Sequence, residues 1–169
     1  FLTAGHCARQ KSYSRWSLSY VIFGYQAPAA GGQNMQIPDE NVFRLVGLKD
    51  IGISENHALE DDYAVFVLDR PVPQNMAVPL KLVDDLTPSD RVALVGHPLG
   101  ASMYIDSEDD AAEPIIIARK GRNSSLLLLG TDSYHGNSGS PIFSVRTGNV
   151  AGILISGADD FTIDPALGD

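Results

Sequence analysis

Cysteine, positive charge and long hydrophobic runs are all scarce in this sequence. The one cysteine, Cys7, constrains the redox compartment only weakly. Lys and Arg number 12 against 21 Asp and Glu, and the resulting net charge of −9 argues against nucleic acid and anionic membranes as main partners. No apolar run, 126–129 included, is longer than a strand, so each falls far short of a membrane span.

What the sequence contains is typical of a soluble, globular, all-β protein. Hydrophobic residues make up 44% of the chain and mean hydropathy is −0.02. Short apolar or alternating runs are divided by Gly, Pro and Asn turns, which favours a barrel or sandwich. The runs that predict strands are 17–23, 42–46, 63–68, 91–96, 103–105, 114–118, 126–130, 142–145 and 150–155.

The remaining stretches predict connections. A short helical turn is expected within 6–16, a surface loop over 27–40 and a polar connection over 51–61. The proline-containing stretch 71–88 is predicted to cross between two units. Acidic clusters at 107–110 and 159–160 lack the ligand spacing of a known calcium loop, so solvated loop charge is the favoured interpretation.

The hexapeptide G-N-S-G-S-P at 136–141 is the stretch most indicative of chemistry. Ser138 lies between two glycines, which permit backbone conformations that a side chain would forbid. Such a turn can push a hydroxyl outward while backbone N–H groups converge on one point. Acyl transfer needs that arrangement of a nucleophile beside donors for an oxyanion. Small Gly/Ser turns are also common as plain turns, so the hexapeptide alone does not decide the function.

Two residues upstream supply the partners that a serine nucleophile requires. His6 can act as the base, because imidazole titrates near neutral pH. Asp62, at the head of an apolar run, can accept the other ring N–H and stabilise the imidazolium. Asp61 is the competing carboxylate, one residue away and therefore on the opposite face of a strand. The order His, Asp, Ser is that of the chymotrypsin triad.

Five stretches carry a resemblance to a known family. They are T-A-G-H-C at 3–7, D-Y-A-V-F at 62–66, the hexapeptide 136–141, V-G-H-P-L-G at 95–100 and G-I-L-I-S-G at 152–157. The sequence resembles a trypsin-like serine peptidase of the compact bacterial branch that includes the glutamyl endopeptidases.

The resemblance implies a chymotrypsin-like fold of two six-stranded antiparallel Greek-key barrels. Residues 1–88 would be the remainder of the N-terminal barrel, carrying His6 and Asp62, and 89–169 the C-terminal barrel, carrying Ser138. The first residue would fall in the third strand of the first barrel. We therefore expect the chain to be a fragment with that barrel incomplete at its N-terminus. Location outside the cell or in the periplasm is expected from the family alone.

The resemblance also assigns the oxyanion hole and the specificity pocket. The hole would consist of the backbone N–H groups of Gly136 and Ser138. The resemblance likewise implies five substrate-binding positions: Asp132, Ser133, His135, Leu154 and Gly157. Asp132 could pair with a Lys or Arg side chain of substrate, or could be hydrogen-bonded within its own loop. Leu154 stands where glutamyl endopeptidases usually place a His, which argues against strict glutamate specificity.

Two further positions depend on the resemblance. Asn137 stands where animal trypsins carry an Asp that binds the freed N-terminus, so zymogen control is expected to be absent or different. Cys7 could bond to an upstream cysteine, as in related proteases, or could be a free, buried thiol that packs as a small hydrophobe.

The predicted function is that of a serine endopeptidase working through Ser138, His6 and Asp62 by an acyl-enzyme. We expect it to need no metal or organic cofactor. Its expected partner is a protein or peptide substrate, with no nucleic acid or membrane, and the expected state is a monomer. The alternative is a non-catalytic binding protein that keeps the protease fold. Such proteins typically lose a triad residue or the glycine of the hole, and this sequence retains them all.

Overall fold

A computed structural model describes residues 1–9, 19–25, 36–53, 61–77, 80–82, 86–88, 90–106, 116–119, 127–129 and 133–157. Strands dominate it, and the described residues contain one α-helix, α1 (Gly5–Ala8). The strands are β1 (Leu2–Thr3), β2 (Tyr20–Ile22), β3 (Val42–Ile53), β4 (Asp62–Leu68), β5 (Val92–Gly96), β6 (Tyr104–Asp106), β7 (Ile116–Arg119), β8 (Leu127–Leu129), β9 (Pro141–Ser144) and β10 (Val150–Ile153). Two 3₁₀ turns lie at Asp39–Asn41 and Pro98–Gly100.

The N-terminal half forms one antiparallel sheet in the order β1-β4-β3-β2, called here the first sheet. Ala64 and Phe66 alternate with more exposed residues along β4, so that β4 turns one face inward. These two side chains are buried with Leu45 of β3 and Ala8 of α1. The core under the first sheet therefore extends to the helix that follows β1.

The C-terminal half forms a second antiparallel sheet in the order β10-β9-β5-β6, called here the second sheet. Val92 and Leu94 of β5 are buried with Ile142 of β9 and Leu86 from the preceding connection. Strands β7 and β8 pair with each other as a separate two-stranded sheet. Two antiparallel sheets and almost no helix confirm the chymotrypsin-like all-β fold. The count of six strands in each barrel stays a prediction.

The prediction that 51–61 is a polar connection is wrong at its start. Strand β3 continues to Ile53, where Gly52 pairs with Tyr63 and Ile53 with Asp62. Pairing with a strand already held by the core extends the Ile-Gly-Ile segment 51–53 into regular β-structure, because context outweighs intrinsic preference in strands. The chain then leaves β3 opposite the first residue of β4.

Three further expectations concern the helical turn, the acidic clusters and a membrane span. The helical turn after β1 is present as α1, and residues 10–18 lie outside the described part. The acidic clusters at 107–110 and 159–160 also lie outside it. Among the described residues, no helix has both the length and the apolar character needed to span a membrane.

Candidate active site

Asp62 reaches His6 because β1 and β4 are adjacent antiparallel strands. The pairing of Thr3 with Ala64 brings the start of β4 alongside the start of α1. Gly5 makes room for this approach. A Cβ on Gly5 would lie 2.9 Å from Asp62 Oδ1 and 2.8 Å from the Gly52 carbonyl oxygen. The glycine in the T-A-G-H-C motif thus lets the carboxylate pass close to the backbone.

The Asp62 carboxylate holds His6 at two points. Its Oδ1 accepts the His6 backbone N–H at 2.7 Å, and its Oδ2 lies 2.7 Å from His6 Nδ1. A carboxylate can only accept, so Nδ1 carries the proton and Nε2 keeps its lone pair. The Asp62 side chain is 13% exposed and the His6 side chain 46%. The ring is therefore fixed on one edge and open to solvent on the other.

The nucleophile loop, defined as 136–140, is shaped by two glycines and fastened to the chain after β10. Gly136 and Gly139 have φ of +91° and +86°, in the left-handed region that favours glycine. The Gly139 N–H donates to the Leu154 carbonyl at 2.7 Å, and the Leu154 N–H donates to the Ser140 carbonyl at 2.9 Å. These two bonds fix the two residues that directly follow Ser138.

The backbone N–H groups of Gly136 and Ser138 are available to a ligand. Neither group donates to an acceptor in the part of the chain that the structure describes. The N–H of Asn137, which lies between them, instead donates to the Tyr134 carbonyl at 3.3 Å. Free donors on alternate residues of a tight turn are the arrangement that an oxyanion requires.

Asn137 points into the protein beneath Ser138. It is 1% exposed, and neither of its side-chain amide atoms has a hydrogen-bond partner among the residues that the structure describes. A Cβ on Gly96 of β5 would collide with its Oδ1, so the glycine of V-G-H-P-L-G admits this side chain. The buried amide fixes which residue of the loop faces outward.

A cleft of about 400 Å³ opens beside Ser138. Its walls come from α1, the stretch before the nucleophile loop and the stretch after β10: His6, Ser133, Tyr134, His135, Gly136, Ser138, Leu154, Ile155, Ser156 and Gly157. His6 follows β1 of the first sheet, whereas the other lining residues precede β9 or follow β10 of the second sheet.

Every predicted site residue in the described ranges lies at this cleft or, for Asp62, directly behind His6. Asp132 lies outside the described residues. Sequence reasoning missed Tyr134, Ile155 and Ser156 as lining residues. The neighbouring residues His135 and Leu154 are among the predicted ones, so the sequence indicates both stretches but not all of their lining residues. Among the described residues, no three His, Cys, Asp or Glu side chains are grouped to hold a metal ion.

Ser138 and His6 line the same cleft. No hydrogen bond joins the Ser138 hydroxyl to the His6 ring in the described part of the chain. Catalytic hydrogen bonds are often long in the free protein and tighten when substrate is bound. Proton transfer between the two side chains therefore requires them to close on one another.

Cys7 follows His6 and is a free, exposed cysteine. The alternative of a buried thiol packing as a hydrophobe is therefore wrong, because the short helix α1 turns Cys7 outward. Partial desolvation and the negative charge of Asp62 raise the pKa of the Cys7 thiol, against a hydrogen bond from Thr3 that lowers it. The thiol is accordingly less ionised at neutral pH than an ordinary cysteine.

The sequence was compared with models of known protein families and with curated proteins. A family model described as a trypsin-like peptidase domain matches residues 1–153. A search of curated proteins found no match. The matched residues include both sheets and the three side chains His6, Asp62 and Ser138.

Proposed function

The chain belongs to the family of trypsin-like peptidase domains, and from that premise we propose that it is a serine endopeptidase. In this proposal Ser138 is the nucleophile, His6 the general base and Asp62 the residue that orients His6. The observation that carries it is the two-point hold of Asp62 on His6 at 2.7 Å, in a cleft that Ser138 also lines. A carboxylate at Nδ1 favours the imidazole tautomer whose Nε2 can act as the base.

The first half-reaction forms the acyl-enzyme. His6 Nε2 takes the proton of the Ser138 hydroxyl as its oxygen attacks the scissile carbonyl carbon. Asp62 keeps the other ring proton on Nδ1 and stabilises the imidazolium that forms. His6 then gives its proton to the leaving amine, and the carbon–nitrogen bond breaks. The solvent-facing edge of His6 supports this route, because both proton transfers use the same nitrogen.

The hole stabilises the charge that develops on the carbonyl oxygen. The free N–H groups of Gly136 and Ser138 would donate to that oxyanion in the tetrahedral intermediate. Removal of one such donor in related chemistry lowers kcat by about 10²–10³-fold. Water then attacks the acyl-enzyme with His6 again as base, and Ser138 recovers its proton. These steps call on the chain's own side chains, backbone N–H groups and water.

The substrate we propose is an unfolded or loop segment of a protein. The described wall of the cleft combines Leu154 and Ile155 with Ser133, Ser156 and Gly157, and carries no carboxylate. Leu154 occupies the wall where the resemblance to glutamyl endopeptidases would require a histidine, so we propose that the enzyme does not require glutamate. Division into domains 1–88 and 89–169, and action outside the cytoplasm, belong to the same proposal and rest on the resemblance alone.

The proposal is tested by digesting a peptide library prepared from a cell lysate and reading new termini by mass spectrometry. The wild-type chain should cleave, and Ser138→Ala should lose at least about 10³-fold in rate. Ser144→Ala is the matched control, because Ser144 is a buried serine of β9 whose hydroxyl has no hydrogen-bond partner within the described ranges. It should cleave at the wild-type rate. Cleavage by Ser138→Ala at the wild-type rate would contradict the assignment of Ser138 as the nucleophile. No cleavage by a folded wild type would contradict the proposal and favour a binding protein.

A further inference from the structure

Leu99 has an unfavourable backbone and an exposed apolar side chain. Its φ is +52°, and among the described residues it is the one non-glycine with positive φ. A residue with a side chain is strained in this region, because its Cβ approaches the following carbonyl oxygen. The side chain is nonetheless 77% exposed, so burial in the core does not offset the strain. Such an outlier supports a hypothesis of function.

The turn that holds Leu99 is fastened on several sides. The Leu99 N–H donates to the His135 carbonyl at 3.0 Å, and His97 Nδ1 lies 3.0 Å from the Ala101 carbonyl oxygen. The Tyr25 hydroxyl donates to the Gly100 carbonyl at 2.8 Å, and its ring meets His97 edge-on at 5.4 Å. These contacts hold the turn in place, so the exposed side chain stands on a fixed base.

Leu99 is placed directly against the proposed oxyanion hole but outside the cleft. A Cβ on Gly136 would lie 2.6 Å from Leu99 N and 3.2 Å from Leu99 Cα. Leu99 is nevertheless absent from the wall of the cleft beside Ser138. The Leu99 side chain therefore stands next to Gly136 with free space around it.

A peptide bound for hydrolysis must pass this position. With its carbonyl oxygen at the N–H groups of Gly136 and Ser138, the residue before the scissile bond can fill the cleft. The scissile bond then lies beside Gly136, so the residues that follow it come within reach of the turn packed against Gly136. That turn offers an exposed leucine, which gains from contact with an apolar side chain.

We propose that Leu99 is a specificity-determining residue that selects substrates with an apolar residue at the first or second position after the scissile bond. The inference rests on the proposed peptidase function. A side chain in the leaving group is lost once the acyl-enzyme forms, so Leu99 acts on acylation and not on deacylation.

The test uses Leu99→Asn and Leu99→Gly, with Leu82→Asn as matched control. Asn and Gly both adopt positive φ readily, so these variants should fold at least as well as the wild type. Leu82 is equally exposed, at 74%, and lies on a distant segment beside β10. Each protein digests the lysate-derived peptide library, and kcat/KM is measured on two substrates sharing the same acyl part. One is a peptide with leucine after the bond, and the other is a p-nitroanilide without any residue there.

The wild type and Leu82→Asn should enrich apolar residues after the bond. Both Leu99 variants should lose this enrichment and about 5–20-fold in kcat/KM on the leucine peptide, the scale of a partly exposed apolar contact. Their turnover of the p-nitroanilide should not change. Wild-type cleavage with no preference after the bond, or equal losses on both substrates, would overturn the role of Leu99 and leave the peptidase standing. Absence of all cleavage by folded wild type would overturn both.

Discussion

A single carboxylate determines the state of the proposed base. Each oxygen of Asp62 has its own partner on His6, the backbone N–H for Oδ1 and ring Nδ1 for Oδ2. The backbone bond holds the carboxylate in place, and the ring bond sets the tautomer. The neighbouring Asp61 precedes β4 and is exposed. Asp62 therefore contacts His6, whereas Asp61, one residue earlier, is exposed to solvent.

Replacing Asp62 with asparagine should preserve the shape and abolish the function of this contact. The amide can present an N–H to Nδ1 and so stabilise the wrong tautomer of His6. We expect Asp62→Asn to lower kcat on a peptide substrate by about 10⁴-fold, with little change in KM. Steady-state kinetics on a fluorogenic peptide measures both constants.

Asp61→Asn provides the matched control, since it removes the same charge one residue away. It should retain the wild-type kcat. If the two variants lost activity equally, net charge near the cleft and not the tautomer of His6 would be the important property.

At the scale of elements, the sequence located most strands but not their ends. Short apolar runs divided by Gly, Pro and Asn turns identified β4, β5, β9 and β10. The end of β3 could not be predicted, since Gly52 and Ile53 become strand by pairing with Tyr63 and Asp62. Local composition does not report on a partner strand.

The turn that leads into β5 offers a pH-dependent test at this scale. Asp90 Oδ2 accepts the Thr87 N–H at 2.7 Å and the Thr87 hydroxyl at 3.1 Å. The backbone hydrogen bond from Thr87 lowers the pKa of Asp90 and outweighs desolvation, which raises it; the Thr87 hydroxyl and the positive charge of Arg146 lower it further. The folded state therefore favours the ionised carboxylate.

A pKa lowered in the folded state stabilises that state above the unfolded pKa, which is about 3.9 for Asp. The stabilisation disappears as the pH falls through the folded value. Asp90→Asn should therefore unfold at a lower urea concentration than wild type at pH 7, and the gap should narrow progressively below about pH 4. Urea titrations of both proteins at several pH values measure this gap. A difference in urea midpoint that stayed constant down to pH 2 would show that the ionised Asp90 carboxylate does not cause the difference.

At the scale of the whole molecule, the site lies where the two sheets meet. A methyl group on Gly139, in the nucleophile loop of the second sheet, would collide with the Thr3 hydroxyl and lie 2.9 Å from the backbone nitrogen of Ala4 in the first sheet. His6 and Ser138 come to one cleft because these two segments are in direct contact.

Gly139→Ala should therefore separate the sheets at the site, and Gly148→Ala should not. Both glycines have positive φ, +86° and +68°, but nothing lies within 4 Å of a methyl group on Gly148. The backbone strain alone should cost Gly148→Ala about 1–2 kcal/mol of the free energy of unfolding and leave peptidase activity intact. Gly139→Ala should lose considerably more stability and its activity. Equal stability losses and equal activity would show that the contact between sheets is unimportant.

Sequence patterns anticipated the three motifs in their order, and hence His6, Asp62 and Ser138. They did not anticipate contacts between distant turns. The bond from Tyr25 to Gly100 joins residues 75 positions apart, and no local pattern marks either one. The left-handed backbone of Leu99 was equally hidden, since a leucine at that position gives no sequence sign of positive φ.

The most direct test of the account is reaction of the chain with a fluorophosphonate, followed by peptide mass spectrometry. Attack by the Ser138 oxygen on phosphorus expels fluoride and leaves a stable adduct only where a base and an oxyanion hole are assembled. We expect one adduct, on Ser138, that is absent from Ser138→Ala and forms much more slowly in Asp62→Asn. No adduct on folded wild-type protein, or an adduct on Ser140 of the same loop, would contradict it.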